Sequence, residues 1–398
     1  MLDIFDNYEL QREELLARIA HELELDQSRK ERMEQAYGKV LEVLKKDEIF
    51  FKDLELELYA QGSIRIHTTV KPINREDFDL DAVLHIYDLY NKYDPVKIYN
   101  ALVRVLEQDP YYKTILKKKD RCVRLDFKND FHIDILPGCM AEVDNRERIA
   151  IPEKKLKDWS SGNPKGYGNW FLDKSKLENG FLLESFSKSF SNSFIKADVD
   201  AEPLPDTQFY EKTPLQRSVQ LVKRYRDIYF QDRENRVSSI VITTLMGRFY
   251  GKEETIYETI DSCLAKIKSS YNKALEDGKR FKIYNPVDDK EDFTDSWTDD
   301  NYRSFYSFIE DLYAKWEYLK KNFEKSGEKY VSLFGEKLYK SSIQAQLKEL
   351  SKFSKNKAAL ASGLILNNEA KTDRVGNVNK DYGVKNTAHH NYGGAYFN

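Results

Sequence analysis

Long apolar runs are missing from this sequence. No stretch approaches the ~18 apolar residues of a membrane span, and residues 1–25, MLDIFDNYELQREELLARIAHELEL, are charged throughout where a signal peptide would be apolar. The expectation is a soluble, cytoplasmic protein. Cysteine is scarce. Cys122, Cys139 and Cys263 are the only three, and no pair has CxxC spacing, so neither a zinc ribbon nor a disulfide framework is indicated. A dominant sign of charge is missing too. The 64 Lys and Arg nearly balance the 67 Asp and Glu, which argues against a broad grip on duplex DNA or an acidic membrane. The local cluster Lys117, Lys118, Lys119 and Arg121 reads as a solvated face.

What is present, in 398 residues, is enough for two domains. Residues 8–48 carry apolar positions at helical spacing with charges between them. LELELYA (54–60) alternates like a strand and is broken by Gly62-Ser63. A second strand follows at 78–86, and KIYNALVRVLEQD reads as a helix. RCVRLDF and FHIDIL flank a short turn and read as a hairpin. PEKKLKDWSSGNPKGYGNW (152–170), rich in Gly, Pro and Ser, reads as a loop over the sheet. From about residue 206 the periodicity is helical. The polar, Gly/Asn-rich end reads as a flexible tail. The expected fold class is α+β: a mixed sheet with a long N-terminal helix (1–205), then an all-helical lobe (206–355) that closes a cleft, then the tail (356–398).

Asp77, Asp79 and Asp81 stand at alternate positions within EDFDLDAVLHI. Strands are depleted in Asp, and alternation brings such side chains to one face. Phe78, Leu80, Ala82 and Leu84 take the core face, which leaves the acids to a cleft. Asp134 in FHIDIL is another acid in an apolar strand. If the hairpin lies beside the 78–86 strand, Asp79, Asp81 and Asp134 can meet. Like charges so close cost stability unless cations offset them, and oxygen ligands suit Mg²⁺. Two such ions would clamp an in-line displacement at phosphorus. Asp77, at the strand entry with Arg75 near it, is left out of the set. Gly62 lets backbone approach a ligand closely, and Ser63 beside it offers a hydroxyl and an N–H to a phosphate.

The segments AQGSIRIHTTVKP, EDFDLDAVLHI, FHIDILPG, WSSGNPKGYGNWF, LQRSVQLVKRYRD and SSIVITTL occur in this order between residue 60 and about 245. Together they resemble the polymerase-beta-like nucleotidyltransferases, and in detail the bacterial cGAS/DncV-like nucleotidyltransferases (CD-NTases) of antiphage (CBASS) defence. The resemblance implies a polymerase-beta-like core and a metal-dependent enzyme that joins NTPs into a cyclic di- or trinucleotide and releases pyrophosphate. It implies metal carboxylates at Asp79, Asp81 and Asp134, with two Mg²⁺ for which Mn²⁺ can substitute. It implies donor-phosphate contacts from Gly62, Ser63, Lys223 and Ser239, with Ser238 as the alternative serine. ATP and other NTPs are the implied substrates, purines and ATP foremost. No obligatory nucleic acid is expected, because the zinc-binding insert of the animal sensor is absent and the net charge is not basic, and no membrane is expected, because no apolar span is present. Regulatory or conjugating proteins acting on the tail, which ends GGAYFN, are the remaining implied partners. The same triad also fits an enzyme that adds nucleotides to RNA or protein; a non-catalytic scaffold fits less well.

Overall fold

The computed structural model describes residues 8–73, 78–128, 130–153, 155, 157–177, 212–321 and 326–348, together with three two-residue strands nearer the C-terminus. Residues 1–339 form one compact unit and residues 340–398 a second. In the second, Lys371–Thr372, Val378–Asn379 and Val384–Lys385 make a small antiparallel sheet. The rest of the tail lies outside the described residues, as do Asp77 and Arg75.

The first unit opens with two helices, α1 (Tyr8–Glu22) and α2 (Gln27–Lys45). The break between them follows from Asp26, whose carboxylate accepts the Arg29 N–H and caps α2. Strand β1 (Leu56–Ala60) leads through the short helix α3 (Gly62–Arg65) to β2 (Phe78–Leu89). Helix α4 (Pro95–Gln108) starts at a capping Asp94 followed by proline, and α5 (Pro110–Ile115) repeats that design with Asp109. Then come β3 (Leu116–Lys118), β4 (Val123–Phe127), β5 (Phe131–Met140), β6 (Ile149–Glu153) and β7 (Asp158–Gly162). The sheet runs β1-β2-β5-β4-β3, and β6 joins β5 to β7. All pairings are antiparallel except β2 with β5.

Alternation in β2 and β5 sorts the two faces of the sheet. Leu80, Ala82, Leu84, Ile133 and Ile135 are fully buried against α2 and α4, whose apolar stripes include Val40, Leu44, Ile98, Leu102 and Leu106. The acids therefore take the other face. The 152–170 segment departs from the loop expected of it. It contains β7 and the start of α6 (Pro164–Ser175). Its glycines serve close packing instead. A Cβ on Gly168 would lie 2.3 Å from Arg65 Nε. Proline and Asn163, whose side chain accepts the Gly166 N–H at 2.9 Å, open the helix.

The later helices are α7 (Pro214–Tyr229), α8 (Ser239–Phe249), α9 (Ile256–Glu276), α10 (Asp299–Lys321) and α11 (Gly327–Phe334). A small hairpin, β8 (Tyr284–Asn285) and β9 (Asp288–Asp292), interrupts the helical half. Helix α1 packs on α7 and α9, and the Glu13 carboxylate caps α9 by accepting the N–H groups of Ile256 and Tyr257 at 2.6 and 3.0 Å.

Helix α7 clasps the chain that follows α3. Gln216, Gln220, Lys223 and Arg224 share one helical face and donate in turn to the carbonyls of Ile66, Thr69, Thr68 and Lys71. A buried ion pair reinforces this clasp: Lys212 Nζ lies 2.5 Å from Glu24 Oε1, which also accepts from Gln220 at 2.9 Å. Removing one member leaves the other charge desolvated. Glu24→Leu should therefore lose about 3–5 kcal/mol, and Glu24→Leu with Lys212→Met should recover most of it. Denaturant melts of the three proteins measure this, and additive losses would show that the pair is not a unit.

Candidate active site

The parallel register of β2 and β5 sets Asp81 beside Asp134 and Asp79 beside His132. The antiparallel register of β4 and β5 sets Arg124 on the other flank of Asp134. The three expected carboxylates thus share one patch of sheet. Asp79 is the exposed member, with 63% of its side chain open to solvent. Its carboxylate contacts His132 Nε2 and lies 3.6 Å from Arg124. Arg124 grips Asp134 with both arms of its guanidinium, Nε at 2.7 Å and a terminal nitrogen at 2.6 Å.

Asp81 sits against the Gly62 turn. A Cβ on Gly62 would come within 2.7 Å of Asp81 Oδ2, and Gly62 holds φ +62°. Both facts demand glycine, since a side chain is strained at that φ and there is no room for one. The Gln61 N–H donates to the Asp81 carbonyl at 2.9 Å, so the turn and the strand are tied through backbone as well. Burial, then the negative charges of Asp79 and Asp134, push the Asp81 carboxyl up to about 6, against the pull of Arg124 and Lys223.

Above the acids lies a cavity of about 640 Å³. Gly62, Ser63, Asp79, Asp81, Lys223 and Ser239 all line it. Asp134 does not, and Arg124 covers both its oxygens. Lys223 is no solvated lysine. It is 4% exposed, donates to Thr68 Oγ1 at 2.9 Å, and burial followed by the nearby Arg226 guanidinium lowers it to about 7. Ser239 is the first residue of α8, and its hydroxyl accepts from Arg226. Ser238 is the N-cap, with no side-chain capping bond.

Sequence reasoning passed over Arg124, His132 and Arg226. The first two were within reach. The short turn of the β4–β5 hairpin pairs Phe127 with Phe131, and counting outward puts Asp126 opposite His132 and Arg124 opposite Asp134. Arg226 had no such local signal. The basic cluster behaves as expected in part: Lys117 pairs with Asp126 and Lys118 with Glu107, but Arg121 lines the cavity.

The donor set fits a divalent cation. Asp79, His132 and Asp134 each bring a ligand atom within 4.8 Å of the others, and Asp81 stands beside Asp134 in the register of the sheet. In chelator, Asp81→Asn should hold or raise thermal stability. A carboxyl raised in the folded state stabilises most below its unfolded value of 3.8 and loses that contribution as pH rises through about 6. The wild type should therefore fall relative to Asp81→Asn over that window, by on the order of 2–3 kcal/mol. Parallel melting curves of the two proteins would show a raised Asp81 to be absent. Gly62→Ala should cost about 1–2 kcal/mol of backbone strain yet remove nearly all turnover, because its methyl displaces Asp81.

Residues 11–175 match the Second Messenger Oligonucleotide or Dinucleotide Synthetase domain family. The chain is similar to a c-di-GMP synthase of Roseivirga ehrenbergii, 37% identical over 91% of this chain and 95% of the relative. Among solved structures it is similar to the CD-NTase CdnG of Bradyrhizobium diazoefficiens in complex with GTP, with a TM-score of 0.69 at 20% identity, over 84% of this chain and 98% of that one. CdnC of E. coli MS115-1 with ATP matches at a TM-score of 0.56 and 14% identity, over 81% and 97%. The polymerase-beta-like fold expected from the sequence is thereby confirmed. This chain belongs to the CD-NTases, the second-messenger oligonucleotide or dinucleotide synthetases, and is a nucleotidyltransferase that joins NTPs into a cyclic oligonucleotide.

Proposed function

We propose that this chain joins two GTP molecules into cyclic di-GMP and releases two pyrophosphates. The overall similarity to the Roseivirga c-di-GMP synthase favours GTP over the ATP that sequence resemblance alone put first. The observation that carries the chemistry is the convergence of Asp79, Asp81 and Asp134 beneath a cavity whose walls also hold Gly62, Ser63, Lys223 and Ser239.

Asp79, Asp81 and Asp134 would hold the metal, with His132 beside them. Two Mg²⁺ ions, replaceable by Mn²⁺, would supply Lewis-acid activation of the ribose hydroxyl and neutralise charge on the leaving pyrophosphate. The protein's residues position and hold. Gly62 keeps the turn close enough for its backbone to approach the donor phosphates, and Ser63 offers them its hydroxyl and N–H. Lys223 meets the triphosphate. Because burial lowers its pKa, arriving negative charge draws a proton onto it. Ser239 turns its hydroxyl, held by Arg226, toward the same phosphates. Arg124, which holds both oxygens of Asp134, would share that carboxylate with a bound metal and remain as a neighbouring positive charge. The first transfer makes a linear dinucleotide. Its turnover in the cleft presents its own hydroxyl for the second.

Incubation with each NTP and Mg²⁺ or Mn²⁺, followed by mass spectrometry, tests the reading. The expected product has the mass of two GMP less two waters, resists phosphatase and yields to phosphodiesterase. A phosphatase-sensitive ladder, or label only on RNA or protein, would sink it. Lys223→Met, which keeps the buried volume, should raise the KM for GTP by roughly 10- to 100-fold, the worth of a charge-assisted contact. Asp79→Asn with Asp81→Asn should abolish product with the fold intact. The role of the product in antiphage defence rests on the family resemblance. Plaque counts on cells carrying the chain with its effector, set against the same double variant, decide that point.

A further inference from the structure

Among the described residues four acids line the cavity: Asp79, Asp81, Asp227 and Glu291. Three are engaged. Asp79 and Asp81 belong to the carboxylate cluster, and Asp227 pairs with Arg226 and Arg236, each at 2.5 Å. Among the described residues Glu291 makes no ion pair, although the charge of Arg121, which also lines the cavity, acts on it from further off. Among the described residues its one hydrogen bond comes from Asn285 Nδ2, at 2.6 Å to Oε2. The orientation of that amide is set by its other end, because Asn285 Oδ1 accepts the Val287 N–H at 3.0 Å. Asn285 itself is 5% exposed. Glu291 is therefore a part-buried carboxylate, held at one oxygen by a fixed donor, with acceptor capacity left on both oxygens.

The hairpin that carries it is pinned to the sheet. Asp288 in β9 accepts from Arg148 at 2.7 Å and from Ser161 of β7 at 2.9 Å. Phe293, two residues beyond Glu291, also lines the cavity and meets the Tyr167 ring edge-on, with centroids 6.2 Å apart. An aromatic ring to stack on and a positioned carboxylate to accept donors are what reading a base requires.

Resting on the GTP reading above, we propose that Glu291 is the guanine-specificity residue, accepting the N1–H and the 2-amino group of one bound GTP. Guanine is the base with two adjacent donors on its Watson–Crick edge. Adenine and cytosine present a ring-nitrogen acceptor there, which a carboxylate repels, and uracil presents one N–H between two carbonyls. Burial raises the Glu291 carboxyl and Asp288 adds to this, against the Asn285 hydrogen bond and the Arg121 charge, so further donors at its open acceptor positions would stabilise the carboxylate.

Steady-state kinetics with GTP, ITP and ATP test this, because ITP lacks only the 2-amino group. The wild type should prefer GTP to ITP. Glu291→Gln should raise the KM for GTP roughly 10- to 100-fold, with a smaller change in kcat, and should erase the GTP/ITP preference; Glu291→Asp should keep part of it. A non-hydrolysable GTP analogue should raise the melting temperature of the wild type but not of Glu291→Gln, whose own melting temperature reports that it is folded. A GTP/ITP ratio unchanged in a folded Glu291→Gln overturns the assignment and leaves the GTP reading standing. A wild type that makes product from ATP alone overturns both.

Discussion

The parallel pairing of β2 with β5 is the constraint on which the site depends. It places Asp81 and Asp134 side by side, in a setting that electrostatics opposes. Hydrophobic burial on the opposite face holds them there. Leu80, Ala82, Leu84, Ile133 and Ile135 are sealed against α2 and α4, and each contributes on the order of 1–3 kcal/mol by leaving water. The side-chain period of two does not let the apolar residues go in without sending the acids out. Burial, then the charges of Asp79 and Asp134, raise the Asp81 carboxyl, and the bidentate grip of Arg124 offsets the charge of Asp134. Metal affinity is the use to which such an arrangement can be put.

A second device fixes what faces the acids. The carbonyls of Ile66, Thr68, Thr69 and Lys71 follow the Gly62 turn, and four side chains from one face of α7 satisfy them. Buried carbonyls must find donors, so the turn and the helix form one piece. Lys223 reaches the cavity as part of this clasp. Its place is set by the same contacts that hold the backbone beneath it, which explains how a lysine comes to be buried beside a cleft with a lowered pKa.

The β8–β9 hairpin is the third element of the frame. It lies within a helical half and reaches back to the sheet through Asp288, whose carboxylate is shared by Arg148 and Ser161. Asn285, Glu291 and Phe293 thereby stand in the cavity wall although they are about 200 residues from Asp79 and Asp81 in sequence. The cavity therefore combines a metal and phosphate end, built by strands and α7, with a wall of amide, carboxylate and aromatic groups.

Much of this was legible beforehand, because period-2 and period-3.6 patterns report faces directly. The strands around Asp79, Asp81 and Asp134, the glycine turn and the later helices all follow from local alternation, capping and breaks, and the hairpin register even contained the Arg124–Asp134 pair. The 152–170 segment misled, since its glycines meet a packing demand from Arg65 that composition does not reveal. Burial of Lys223, engagement of Ser239 by Arg226, and the arrival of Glu291 in the cavity could not be read locally, because each depends on contacts between elements distant in sequence. The sequence by itself determined which side chains share a face, since that follows from backbone geometry within one element. Only the tertiary structure decided which faces meet, because burial and charge compensation are properties of the packed whole.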